Sequence, residues 1–306
     1  MVNIAIYNSF PFHYEMFGYI IYYCHVKNHN LTIYTNSENA KGWLFFYKQK
    51  FNTCNFSYKN MKLFDSEKNN YELIFLPTDD DMKYDDNNSF FNNKTIRIDH
   101  NYLIRRPTID KFIAVRPFLE NYRKWSLPCY PLINTFEIKS QLISNDKINI
   151  CILGESLENY NVNIINRLKC FDKKIIINAI ARNVSYNKFN GLSRDIKLNI
   201  FKNINTIHMM NIISNCNYLL TDVSINKNYE YENMSGCIPF SFSLLATLII
   251  SKQTNKFYNF KNVIEFDKNT NDDILLQEIN INNLIMERQD LTNTFHNYVD
   301  EYIKTL

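Results

Sequence analysis

The stretch Tyr229-Glu-Tyr-Glu-Asn-Met-Ser-Gly-Cys-Ile-Pro-Phe-Ser-Phe-Ser-Leu-Leu-Ala-Thr-Leu-Ile-Ile250 decides how the chain is read. It opens polar and aromatic, reaches Ser235-Gly236, and then turns apolar. The spacing predicts a buried helix over residues 237–245 and a short buried strand over 247–251. Pro239 suits the first turn of that helix, where a missing amide loses no partner. Ser235 is placed as the N-cap, and Gly236 lets a ligand approach the backbone. Such a helix start leaves free amides and a partial positive charge, which suits a phosphate. An ordinary capped core helix has the same description.

Upstream, the same alternation of strand and helix recurs. Strands are predicted over 148–153, 174–180 and 218–221, with helices over 162–170 and 205–214. Downstream come a strand over 263–266 and a helical tail over 273–306, with Leu291, Phe295, Tyr298 and Tyr302 spaced for one face. The first half reads alike. Strands are predicted over 2–7, 31–35, 71–76, 95–98 and 111–115, with helices over 13–27 and 41–50. Proline-punctuated residues 116–131 and the polar stretch 137–146 lead to a boundary placed at 135–146. Two α/β halves with parallel sheets follow, 1–140 and 141–306, in a two-domain Rossmann-like layout.

Composition narrows the function. The chain has 306 residues and a net charge of +3 with acids and bases interspersed, so it lacks the basic stripe of a nucleic-acid binder. Seven scattered cysteines without a Cys-x-x-Cys read as small buried hydrophobes in a reducing compartment, and no secretory start is visible. The longest apolar run, 237–250, is too short to span a bilayer. A cytoplasmic location is the expectation, with peripheral membrane contact left open and no transmembrane segment. Only five glycines occur, and no dinucleotide fingerprint, Walker loop or nucleophile elbow is present. His25 and His29 have zinc-compatible spacing but no third ligand, and are read as surface residues.

The layout, together with Glu232, Ser235-Gly236, the apolar helix and the strand at Leu248-Ile249-Ile250, resembles the donor-binding segment of GT-B glycosyltransferases. Family members with the best-known pattern carry two Glu residues eight apart. Here Glu232 takes the first place and Phe240 stands at the second. The composition, rich in Asn, Ile, Lys and Tyr, resembles proteins of large DNA viruses, some protists and AT-rich bacteria.

That resemblance implies a GT-B-like fold of two Rossmann-like domains facing a cleft, with the last helix crossing back onto the N-terminal domain. It implies transfer of a sugar from a nucleotide-sugar co-substrate to an acceptor hydroxyl on a glycan, protein or lipid-linked acceptor, with no metal and no other cofactor. Ligands of open α/β sheets sit at the carboxyl ends of strands. The donor-side candidates are therefore Gly154, Glu155, Ser156, Arg182, His208, Ser224, Tyr229, Glu232, Met234, Ser235 and Gly236. Arg182 is a bidentate diphosphate partner, and His208 stands where such enzymes contact the base. The acceptor-side candidates for a general base are His13 with Glu15, and Asp99 with His100. Two other enzyme readings stay open. One is a metal-dependent GT-A enzyme using Asp79 to Asp81, and the other is a sugar-nucleotide epimerase. A non-catalytic descendant that binds a sugar or a partner protein is the third.

Overall fold

The computed structural model describes residues 1–9, 13–36, 40–51, 56–77, 94–99, 112–117, 124–132, 146–156, 161–183, 189–222 and 235–306. They form two compact units. The first comprises Met1–Tyr130 with Asp290–Leu306, and the second Pro131–Gln289. Residues 133–145, around the expected boundary, lie outside the described residues.

In the first unit six parallel strands form one sheet. They are β1 (Asn3–Asn8), β2 (Asn30–Thr35), β3 (Phe56–Asn60), β4 (Leu73–Leu76), β5 (Thr95–Asp99) and β6 (Phe112–Ala114), in the order β3-β2-β1-β4-β5-β6. Parallel strands need both faces covered, which explains why β4, β5 and β6 are buried along their whole length. Helix α1 (Phe17–Val26) follows β1, α2 (Trp43–Lys50) follows β2, and a single turn, α3 (Phe64–Glu67), follows β3. A short 3-10 turn, Tyr14–Met16, precedes α1.

The second unit repeats the plan. β7 (Lys147–Ser156), β9 (Lys174–Asn183), β10 (Ile196–Lys202), β11 (Tyr218–Leu220), β12 (Thr247–Ser251) and β13 (Val263–Phe266) form a parallel sheet in the order β10-β9-β7-β11-β12-β13. Both sheets thus follow the 3-2-1-4-5-6 order of dinucleotide-binding sheets. The covering helices are α4 (Val162–Asn166), α5 (Thr206–Ser214), α6 (Cys237–Leu244) and α7 (Lys252–Tyr258). The core of this unit is a cluster of Ile150, Ile152, Ile165, Ile177, Leu220 and Ile249 with their neighbours.

Several elements differ from the sequence reading. β3 and β10 were not expected, because each is an edge strand whose Lys and Asn residues are exposed or half-exposed and give no apolar run. The helix expected over 162–170 ends at Asn166. Leu168–Lys169 (β8) instead pairs with Ile274–Leu275 (β14), fixed by the Arg167 guanidinium on the carbonyls of Asp272 (2.7 Å) and Asp267 (3.0 Å). The helical tail expected from residue 273 starts only at Ile281 as α8 (Ile281–Ile303), because the preceding residues serve that two-stranded pairing. Asn280 accepts from the Asn282 amide at 2.9 Å and caps it.

From Asp290 on, α8 belongs to the first unit. Its buried face is Thr292, Phe295, His296 and Val299, one residue round from the face the spacing indicated at Leu291 and Tyr298. Phe295 meets Tyr19 edge-on at 4.4 Å and Phe75 at 6.2 Å. Asp300 accepts from Tyr23 (2.7 Å) and Lys27 (2.5 Å) on or just after α1.

Candidate functional site

In the second unit the chain order reverses between β7 and β11, and such a switch point is where open α/β sheets bind ligands. β7 ends on Gly154, Glu155 and Ser156. β11 runs out into Thr221 and Asp222. Asp222 holds a left-handed backbone (φ 63°), which Asp tolerates better than most residues. Its buried carboxylate accepts from the Ser251 amide (3.0 Å) and hydroxyl (2.9 Å) at the end of β12. Ser251 Oγ in turn caps α7 through the Thr254 amide at 3.2 Å. Two strand ends are tied together this way around the switch point.

The start of α6 lies against the same place. The buried Cys237 thiol is pushed up to about 11 by burial, against the opposing Leu153 backbone and Ser235 hydroxyl, with the Asp222 carboxylate adding to the rise. Helix α6 packs on β11 and β12, on one side of the switch point. Ser235 is not the N-cap residue. Its carbonyl accepts from Ile238 at 3.1 Å, forming a tight turn that moves the cap to Gly236, while its hydroxyl accepts from the Cys237 amide at 3.3 Å.

Gly236 is not demanded by the fold. Its φ is −59°, open to any residue, and a Cβ built there would meet only Phe240 Cε2, at 4.0 Å. Its amide has no acceptor among the described residues. The Thr221 hydroxyl at the switch point is buried and likewise has no partner among the described residues. A bare amide, a helix start and an unmet hydroxyl at one strand end can receive an anion with several oxygens.

Arg182 stands exposed near the end of β9. His208 is exposed in the first turn of α5, where its amide donates to the capping Asn205 side chain at 2.9 Å. Its ring meets Phe201, at the end of β10, edge-on at 6.0 Å. Ser224, Tyr229, Glu232 and Met234 lie outside the described residues, as do His100 and Asp79 to Asp81.

In the first unit, the loop after β1 brings His13 and Glu15 together, with Nδ1 3.3 Å from Oε1 and both side chains about a third exposed. His13 has a left-handed backbone (φ 62°) and is followed by the 3-10 turn. Asp99 ends β5, fully buried, and its carbonyl accepts from Val115 at 3.1 Å.

Sequence reading missed two residues here. Phe201 lay in an unrecognised edge strand. Tyr47 on α2 donates to the carbonyls of Tyr14 and Glu15, 3.0 Å from each, and no local pattern announces a partner more than thirty residues away.

No family model matches the chain, and no curated protein matches it. Solved structures do. AviGT4, a glycosyltransferase involved in avilamycin A biosynthesis, is similar over 99% of this chain and 97% of its own, with a TM-score of 0.60 and 6% identity. Anabaena Alr3699/HepE in complex with UDP and glucose is similar over 100% of this chain and 95% of its own, with a TM-score of 0.53 and 10% identity. The same protein with UDP-glucose gives a TM-score of 0.52 over 99% and 94%, at 9% identity. With two six-stranded parallel sheets of one strand order and these likenesses, the chain has the GT-B fold of two Rossmann-like domains.

Proposed function

We propose that the chain is a glycosyltransferase that moves a sugar from a nucleoside-diphosphate sugar to an acceptor hydroxyl. The observation that carries this reading is Gly236, a glycine that neither backbone geometry nor packing requires, at a helix start set on the switch point. The fold and the UDP complexes of Alr3699/HepE support the same reading. The donor belongs to the domain of residues 141–306, with its diphosphate over the Ser235-Gly236 turn, Gly154, Glu155 and Ser156 at the next strand end, and Arg182 as cationic partner. His208 serves the base, and the 224–234 loop with Ser224, Tyr229, Glu232 and Met234 serves the sugar. The helix dipole and cationic side chains offset charge on the departing diphosphate, so no metal is needed. In the domain of residues 1–140, His13 takes the acceptor proton with Glu15 stabilising the imidazolium, a role that Asp99 with His100 would fill instead.

The test is a panel of nucleotide sugars, UDP-glucose first, scored for nucleotide release with and without chelator. Release unaffected by chelator supports the proposal. Loss with chelator, recovery with manganese and inactive Asp79→Ala and Asp81→Ala variants would assign the chemistry to the acidic run. Nucleotide affinity without release from any donor would make the chain a binding protein.

A further inference from the structure

His13 is a non-glycine residue held in the left-handed region (φ 62°, ψ 26°), which costs on the order of 1 kcal/mol and persists only where the surroundings hold it. The holding contact comes from α2. Tyr47 is fully buried, and its hydroxyl lies 3.0 Å from the carbonyls of both Tyr14 and Glu15. Burial pushes this phenol well above its ordinary range, with Tyr130 and Glu15 adding, so it stays a donor at every working pH. The buried Tyr130 ring packs beside the Tyr47 ring, centroids 6.5 Å apart. The Tyr130 ring lies over Gly18, where an added Cβ would fall 2.1 Å from Cζ. Tyr47 thus grips the backbone directly under the His13–Glu15 pair, with Tyr130 packed behind it. His13, Tyr47 and Tyr130 are titratable groups set against Glu15.

We infer that Tyr47 is a positioning residue that fixes the turn of residues 13–16 so that the Glu15 carboxylate stays against the His13 imidazole. The importance of that pair for turnover rests on the function proposed above, whereas the positioning itself does not.

The experiment follows the His13 ring resonance against pH in the full chain, assigned by its loss in His13→Gln. A carboxylate beside an imidazole favours the charged ring. Glu15→Gln therefore lowers the His13 midpoint, and Tyr47→Phe lowers it by a similar amount, while the exposed His25 is unmoved. An unchanged His13 midpoint in Glu15→Gln, or in folded Tyr47→Phe, overturns the inference. Should Tyr47→Phe not fold in water, it is measured beside the wild type in sucrose, which favours the compact state, and an unchanged midpoint there overturns it. Turnover in His13→Ala is a separate readout. Wild-type turnover there removes the base role and leaves the positioning result standing.

Discussion

Replacing Gly236 with valine separates the fold from the proposed donor site. Position 236 has φ −59°, and an added Cβ finds one neighbour at ordinary contact distance, Phe240 Cε2 at 4.0 Å. Stability should therefore change by less than about 1 kcal/mol, and removing a glycine from the unfolded chain works in the stabilising direction. Binding should respond differently. The branched side chain stands in front of the amide, and a hydrogen bond to a charged group is worth roughly 1.5–3 kcal/mol. The dissociation constant for UDP should rise about 10- to 150-fold. Urea unfolding with and without UDP reads both quantities. At a hundred times the wild-type dissociation constant, UDP stabilises the wild type by about 2.7 kcal/mol. The same concentration stabilises a variant weakened a hundredfold by only about 0.4 kcal/mol. Equal UDP stabilisation of both proteins, with the fold intact, would place the diphosphate away from this helix start and refute the reasoning.

Three further outcomes follow. His296 is buried on α8, and burial, with Lys27 adding and Asp300 opposing, pulls it down to about 4. A depressed histidine contributes its stability above its unfolded range and loses it as pH falls toward 4, on the order of 2 kcal/mol. His296→Phe should abolish that loss between pH 6.5 and 4, read by urea unfolding, and an unchanged slope would show that His296 is not its source. Burial raises Asp300, but hydrogen bonds from Lys27 and Tyr23 outweigh it and hold the carboxyl below its ordinary range, so its contribution fades only at lower pH. Gly18→Ala should destabilise by about 1–3 kcal/mol through overpacking against Tyr130. Adding Tyr130→Leu should recover part of it, and strict additivity of the two changes would argue against the clash. Phe295→Ala should cost about 3–5 kcal/mol in chemical denaturation, since its buried ring packs on Tyr19, Tyr23 and Phe75. A cost below 1 kcal/mol would mean that α8 contributes little to the first unit.

The sequence by itself determined the buried strands and the repetition of the α/β plan. Runs such as Leu73–Leu76 and Leu248–Ile250 are apolar throughout because a parallel strand is covered on both faces, and that leaves a continuous signal. The edge strands β3 and β10 left none, unlike β6 and β13 at the opposite edges. Phe56–Asn60 and Ile196–Lys202 carry polar residues toward water, and their pairing energy comes from neighbours distant in sequence. Positions were legible where the chain itself sets them, as with His13 and Glu15 two residues apart after a strand, or Gly236 opening a helix. Tertiary structure alone decided which groups support them. Asp222 holds Ser251 across 29 residues, and Tyr47 reaches the Glu15 carbonyl across 32. It also moved the cap of α6 from Ser235 to Gly236 and turned α8 to bury His296 rather than Tyr298. The physical reason is that local propensity depends on neighbours along the chain, whereas a buried hydrogen bond depends on which distant backbone group is left needing a partner.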